Sequence, residues 1–325
     1  MMKEPSQLLS EFTREVRGRV PAARARVGGQ RYFLEARLPD ELQRRHSSIW
    51  WIHLAHLGTL DKLEDILTVG GLPRSIELIA IARNLFENLV WLKLMQRDHD
   101  YGLVFYSRLL MAQAESIQIF IDKLTDEAAL FDLCEGLDDD VLDSTLGQLI
   151  LSDPGEAEIA AAQDEFRSQQ QTLDDLVRRE FSLFAAPATF NGYGRQADLL
   201  RTETIPAYET DLAGIAARRQ ALEAVLPSLI EDRLIPIAED RRWNWAARAR
   251  EAGLEKHYRF LYPYTSKLLH STPLNIITDK ALSPSEFIIL LDYTILAGGD
   301  LLDCIDSFKY DGQVRAISVA CLGGG

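Results

Sequence analysis

Cysteine is scarce in this chain. Cys134, Cys304 and Cys321 stand apart, with neither CxxC nor metal-ligand spacing, so a reduced, cytoplasmic protein is expected. Long apolar runs are missing too. The longest are short pieces such as Phe287-Ile-Ile-Leu-Leu291, far below the roughly 18 residues a membrane helix needs, and no membrane association is expected. The opening Met-Met-Lys-Glu-Pro-Ser-Gln lacks the apolar centre of a secretory signal, and Glu4, Glu11, Glu15 and Glu35 argue against an organellar transit peptide. Convincing β-alternation and internal repeats are also absent. What remains is helical periodicity along nearly every long segment, which predicts an all-α multi-helix bundle.

Charge is plentiful but uneven. Of the net −14, residues 121–175 supply sixteen acids against Lys123 and Arg167, a local balance of −14, so the rest sums to zero. Such a segment either attracts a basic protein partner or is a solvated pair of helices that keeps the chain in solution. Residues 1–50 lean the other way, with ten Lys/Arg and six Asp/Glu. A second basic cluster sets Arg241, Arg242, Arg248 and Arg250 around Trp243 and Trp245. On a helix such a cluster is more often a surface with one buried edge; the alternative is RNA, since arginine with tryptophan suits phosphate contact and base stacking.

The punctuation predicts the organisation. Pro39-Asp-Glu opens a first long helix that stops at Gly70-Gly71. Pro73 starts a second, from Ser75 to about Gln96, and a third runs from about Tyr101 to Leu124. Shorter acidic helices break at Gly136 and Asp153-Pro-Gly155, and another covers about 157–183. Residues 185–200 carry the strongest loop signal, a lid or a boundary. Helix resumes near Ile205 and continues through the basic cluster to Ser271-Thr-Pro273. Ser283-Pro-Ser-Glu286 is a capping box opening an apolar helix interrupted at Gly298-Gly299. These signals divide the chain into a basic N-terminal arm (1–36), a first part of the helical core (37–125), an acidic helical insertion with the loop (126–203), a second part of the core (204–310) and a tail (311–325) ending in Gly-Gly-Gly.

Three constellations carry possible chemistry. Tyr258, Tyr262, Ser266 and His270 follow at intervals of four, so on a helix they form one slanting stripe, each about 40° from the last. Ser266 and His270 have the spacing of a polarised hydroxyl and a general base, or of a structural hydrogen bond between helices. Pro263 falls inside the ladder and predicts a kink or restart that frees a carbonyl near Arg259. The second constellation is Arg83 and Glu87, flanked by Asn84 and Asn88 in an otherwise apolar helix. Their spacing favours an ion pair. Facing the ladder, Glu87 would orient His270 and Arg83 would hold an anion. The third is His46, His53 and His56, within about 80° on one helix face. No carboxylate lies among them, so no metal and no cofactor is expected.

Arg83-Asn-Leu-Phe-Glu87 followed by Tyr258-x3-Tyr262-x3-Ser266-x3-His270 resembles a mainly prokaryotic helical family, a domain of unknown function, whose members carry an R-x-x-x-E helix and a later Y-x-x-x-S-x-x-x-H helix. The match covers roughly 40–125 and 240–305. A weaker resemblance is to HEPN domains, helical bundles of bacterial defence and toxin systems that include metal-independent ribonucleases. Those carry Arg followed by His; here Arg250 and His257 have six residues between them, Gly253 among them, with Glu251 where a polar residue is usual.

The sequence therefore predicts a polar pocket between Arg83/Glu87 and Tyr262/Ser266/His270, with Tyr258, Tyr262 and Arg259 as ligand-binding residues, Arg241, Arg242, Trp243 and Trp245 as the nucleic-acid contacts, and 185–200 near the mouth. The leading expectation is a binding or regulatory module. The alternative implied by the HEPN resemblance is a ribonuclease in which His270, Ser266, Arg83 and Glu87 act catalytically. A homodimer is the further expected partner.

Overall fold

A computed structural model describes residues 4–68, 72–152, 155–269 and 282–309. Among them every regular element is helical and none is a strand. In chain order these are α1 (Pro5–Arg37), α2 (Glu41–Arg45), α3 (Ser48–Thr68), α4 (Ser75–Arg97), α5 (Tyr101–Ser152), α6 (Glu156–Arg179), α7 (Ala185–Asn191) and α8 (Tyr193–Leu199). A π-helical turn (Leu200–Thr204) leads into α9 (Ile205–Leu229). A 3-10 turn (Asp232–Leu234) precedes α10 (Ile235–Glu239), α11 (Trp245–Glu251), α12 (Glu255–Leu269) and α13 (Pro284–Ser307). No helix among the described residues is long and apolar enough to cross a membrane.

The chain forms two compact units, 1–108 with 222–325, and 109–221. In the first, α4 packs along α13 and against α12, while α1 packs on α3 and α13. The basic N-terminal stretch is thus a helix with a buried stripe, Phe12, Val16, Val20, Ala23, Val27 and Leu34, whose steps of three, four and seven follow the helical repeat. Its outer arginines reach acids on neighbouring helices: Arg19 bonds Asp303 and Asp306, and Arg24 bonds Asp61 and Glu64. Helix α5 starts hard against α3. A Cβ on Gly102 would lie 2.2 Å from the Ser48 carbonyl oxygen, so only glycine permits that approach.

The second unit is built on α5. Leu124, Phe131 and Cys134 pack with Leu173 and Val177 of α6, Tyr193 of α8 and Leu200. Several acids of the 121–175 segment are structural. Glu127 is buried and accepts from the Ser182 hydroxyl and the backbone N–H groups of Leu183 (3.1 Å) and Phe184 (2.6 Å). Glu135 accepts from Gly194 N (2.8 Å), and Asp174 from Tyr193 Oη (2.6 Å) and Thr189 Oγ1 (2.8 Å). Carboxylates so placed satisfy buried or partly buried donors where the chain enters α7 and in the first turn of α8.

Several expected boundaries differ. Residues 185–200 are not a loop but the short helices α7 and α8, broken at Gly192 (φ 89°); their buried Ala188, Tyr193 and Ala197 supply the packing that outweighs the Gly/Pro composition. Helix α5 runs through Gly136, and α13 through Gly298-Gly299. The first long helix begins at Ser48, with Pro39-Asp-Glu opening only the short α2. The stretch from Ile205 to the ladder is four helices, the last two separated at Gly253 (φ 76°). Pro263 neither ends nor restarts α12, which continues through it. Gly70-Gly71, Asp153-Pro154, the Ser271-Thr-Pro273 stop and the 311–325 tail lie outside the described residues.

Candidate functional site

On α4, Arg83, Glu87 and Trp91 follow at intervals of four and lie on one slanting stripe. On α12, Tyr258, Tyr262 and Ser266 do the same. The two stripes meet. Arg83 Nη1 donates to Ser266 Oγ at 2.8 Å and Nε pairs with Glu87 Oε1 at 3.0 Å. The guanidinium carbon sits 4.4 Å from the centre of the Tyr262 ring, a cation–π distance. Tyr262 stacks on Tyr258 (4.9 Å), which lies 6.4 Å from Phe86. Arg83 and Glu87 are half-buried, with side chains 23% and 28% exposed, so the pair is shielded from water more than a surface salt bridge yet remains reachable. Burial foremost pushes the Tyr262 phenol above its ordinary range, with Arg83 opposing.

Two of guanidinium's five N–H groups are used by Ser266 and Glu87. The Ser266 oxygen accepts from Arg83 and keeps its own proton to donate. Serine and guanidinium thereby present donors side by side, a pair suited to an anion. His270, one turn further in the ladder, lies outside the described residues. Arg259 is not in the seam: its side chain is 78% exposed, with Nε 3.9 Å from Glu255 Oε1. Asn84 and Asn88 bond each other (3.0 Å), and Asn88 accepts from Lys62 (3.3 Å); they belong to another face of α4.

The basic cluster joins the same site. Trp245 lies 6.3 Å from Tyr262 and 6.0 Å, edge-on, from Trp243; Trp243 stacks on Trp91 at 4.1 Å. The ring of Trp243 is therefore occupied by protein, and its Nε1 is buried without a hydrogen-bond partner. Trp245 is the tryptophan that borders the Arg83–Tyr262 seam. Arg241 and Arg242, which precede Trp243 in the chain, are exposed. Behind them Arg108 of α5 donates to the carbonyls of Asp240 and Arg241 and lies 5.7 Å from the Trp243 ring. Trp91 and Arg108 were not singled out from the sequence. Trp91 continues the Arg83–Glu87 interval and was legible; Arg108 has no local signal.

The other candidate clusters do not assemble. His53 and His56 have rings 6.5 Å apart, each edge-on to Phe308, while His46 borders a polar cavity of about 470 Å³. No group of three metal-ligating side chains occurs among the described residues. Arg250 is turned to Glu255 (3.4 Å) and His257 to Tyr293 (ring centres 6.1 Å). Residues 185–200 belong to the second unit. Compared with protein-family models, with curated proteins and with solved structures, the chain gave no match.

Proposed function

We propose that this protein is a binding or regulatory module whose recognition site is the seam between α4 and α12, and that its ligand is a phosphate-bearing group with a planar ring. The reading is carried by one observation: Arg83 is held by Ser266, Glu87 and the Tyr262 face together. A guanidinium fixed on three sides is preorganised, with its remaining donors in fork geometry for an anion. Trp245 and Tyr262 beside it supply faces for a base, and Arg241 and Arg242 add positive charge. Titration of the intrinsic tryptophan fluorescence with AMP and a short single-stranded RNA tests this. Arg83→Gln is expected to weaken binding by about tenfold or more, and Trp245→Ala to weaken RNA binding. Equal binding by wild type and Arg83→Gln, with circular dichroism unchanged, refutes the reading.

A second reading is a metal-independent, HEPN-like ribonuclease of a prokaryotic defence system. It draws support from Arg83 lying on Ser266, four residues before His270. In it His270 takes the 2′-hydroxyl proton and an arginine stabilises the charged transition state. Cleavage of total RNA in EDTA by wild type but not His270→Ala would put it first; intact RNA with both leaves the binding module. The exposed acids of residues 121–175 are the proposed surface for a basic protein partner, an association that must weaken as salt rises.

A further inference from the structure

The first unit contains an apolar cavity remote from the α4–α12 seam in chemistry and lining. It measures about 520 Å³ and is walled by α1, the end of α3, the first turns of α4, and α13. Leu9, Phe12, Leu78, Ile81, Leu291 and Ile295 give it a mostly hydrocarbon surface. Phe12 is placed by a close contact: a Cβ on Gly298 of α13 would lie 2.4 Å from its ring. The volume is that of a small-molecule site.

The rim is basic. Leu9, Thr13 and Arg17, at intervals of four on α1, line both this cavity and an adjoining groove that also contains Ser6, Ser10 and Arg14. Four other arginines of α1 offer a contrast. Arg19, Arg24, Arg26 and Arg31 each pair with a carboxylate, whereas Arg14 and Arg17 make no hydrogen bond or ion pair with any described residue. The one carboxylate among the described lining residues, Glu77, is engaged in capping α4, accepting from Arg74 N at 2.8 Å.

An apolar pocket with two uncommitted guanidinium groups at its mouth matches an amphipathic anion. We infer that this cavity binds a free fatty carboxylate, with the alkyl chain among Phe12, Leu78 and Leu291 and the carboxylate on Arg14 and Arg17. Guanidinium and carboxylate form parallel bidentate hydrogen bonds. The apolar walls bury the chain that water rejects, and Ser10 and Thr13 offer hydroxyls to the head group.

Isothermal titration of the full chain with dodecanoate below its micellar concentration is the test. Saturable binding is expected. It should weaken by about tenfold or more in Arg14→Gln/Arg17→Gln and be lost in Ala80→Phe, where the new ring fills the mouth from a position already exposed. Circular dichroism and melting temperature establish that the variants fold; the arginine double variant, at exposed positions, carries the test if Ala80→Phe does not. Lack of saturable binding by wild type overturns the proposal. So does equal affinity for dodecylamine, or binding that neither variant alters. Attachment to phosphatidylglycerol vesicles without binding of monomeric dodecanoate would replace it with a membrane-surface role for the two arginines.

Discussion

The arginines of α1 in the first unit and one glutamate of α5 in the second are charged side chains used in opposite ways. In the first, arginines of α1 reach across to acids on α3 and α13 at the surface, as Arg24 does to Asp61 and Glu64, whose side chains are 59% and 47% exposed. Water screens such pairs, and each is worth little. In the second, a carboxylate of α5 turns inward: Glu127, 1% exposed, satisfies two backbone N–H groups and a hydroxyl where the chain enters α7. A surface charge can be lost cheaply, whereas a buried acceptor cannot, because its removal orphans several donors at once.

That contrast can be broken most sharply at Glu127. Glu127→Ala is expected to cost about 3 kcal/mol by urea denaturation, since it leaves buried donors without a partner, with faster amide exchange at Leu183 and Phe184. An effect near that of a surface pair would remove the distinction. Acid should strike the other unit. All six histidines fall outside 109–221. Burial foremost lowers His53 to about 4 and His56 to about 3. Unfolded, both titrate near 6.5, so as pH falls from there toward the folded values only the unfolded chain takes up the protons. Stability is complete above about pH 6.5 and is lost below it, by about 2 kcal/mol for the pair between pH 6 and 5. His56→Gln should flatten this dependence, and an unchanged slope would show that other groups set it.

The next effect is steric. Gly102→Ala places a methyl on a backbone oxygen that cannot rotate away, so a loss of roughly 1–3 kcal/mol is expected despite alanine's better helix propensity; a more stable variant would mean that α3 and α5 shift apart freely. Smallest of all, Arg24→Ala should change stability by under about 1 kcal/mol, with the difference fading at high salt. A larger, salt-insensitive loss would place Arg24 with Glu127 rather than against it.

Much of the fold was legible because it rests on local signals. The Ser283–Glu286 capping box is formed as the sequence implies, Ser283 Oγ and Glu286 bonding reciprocally. The Arg83–Glu87 pair follows from its spacing, and the intervals of four in both helices put the seam residues on facing stripes. The misread elements are those where packing overrides composition. Gly136 costs a helix about 1 kcal/mol, yet α5 continues because Leu124, Phe131 and Cys134 are already committed to its inner face. Pro263 is tolerated on an exposed edge of α12, where the carbonyl it frees is beside exposed Arg259 and can meet water. The arginines of residues 1–36 obscured the Phe12–Val27 stripe. The link from Trp245 to Tyr262 joins motifs on separate helices, and no pattern within either one reports it.

The packing of α1 on α13 has a consequence for synthesis. Arg19 bonds residues 284 and 287 positions later in the chain, and the stripe of α1 is covered in part by a helix made after almost everything else. Residues 109–221, by contrast, are one uninterrupted stretch whose core partners all leave the ribosome together. The second unit can therefore settle while translation continues, whereas α1 and α3 must wait for α13 with apolar surface uncovered. Ribosome-stalled chains ending near residue 250 should accordingly show a protected second unit and an α1 open to chaperones and proteases.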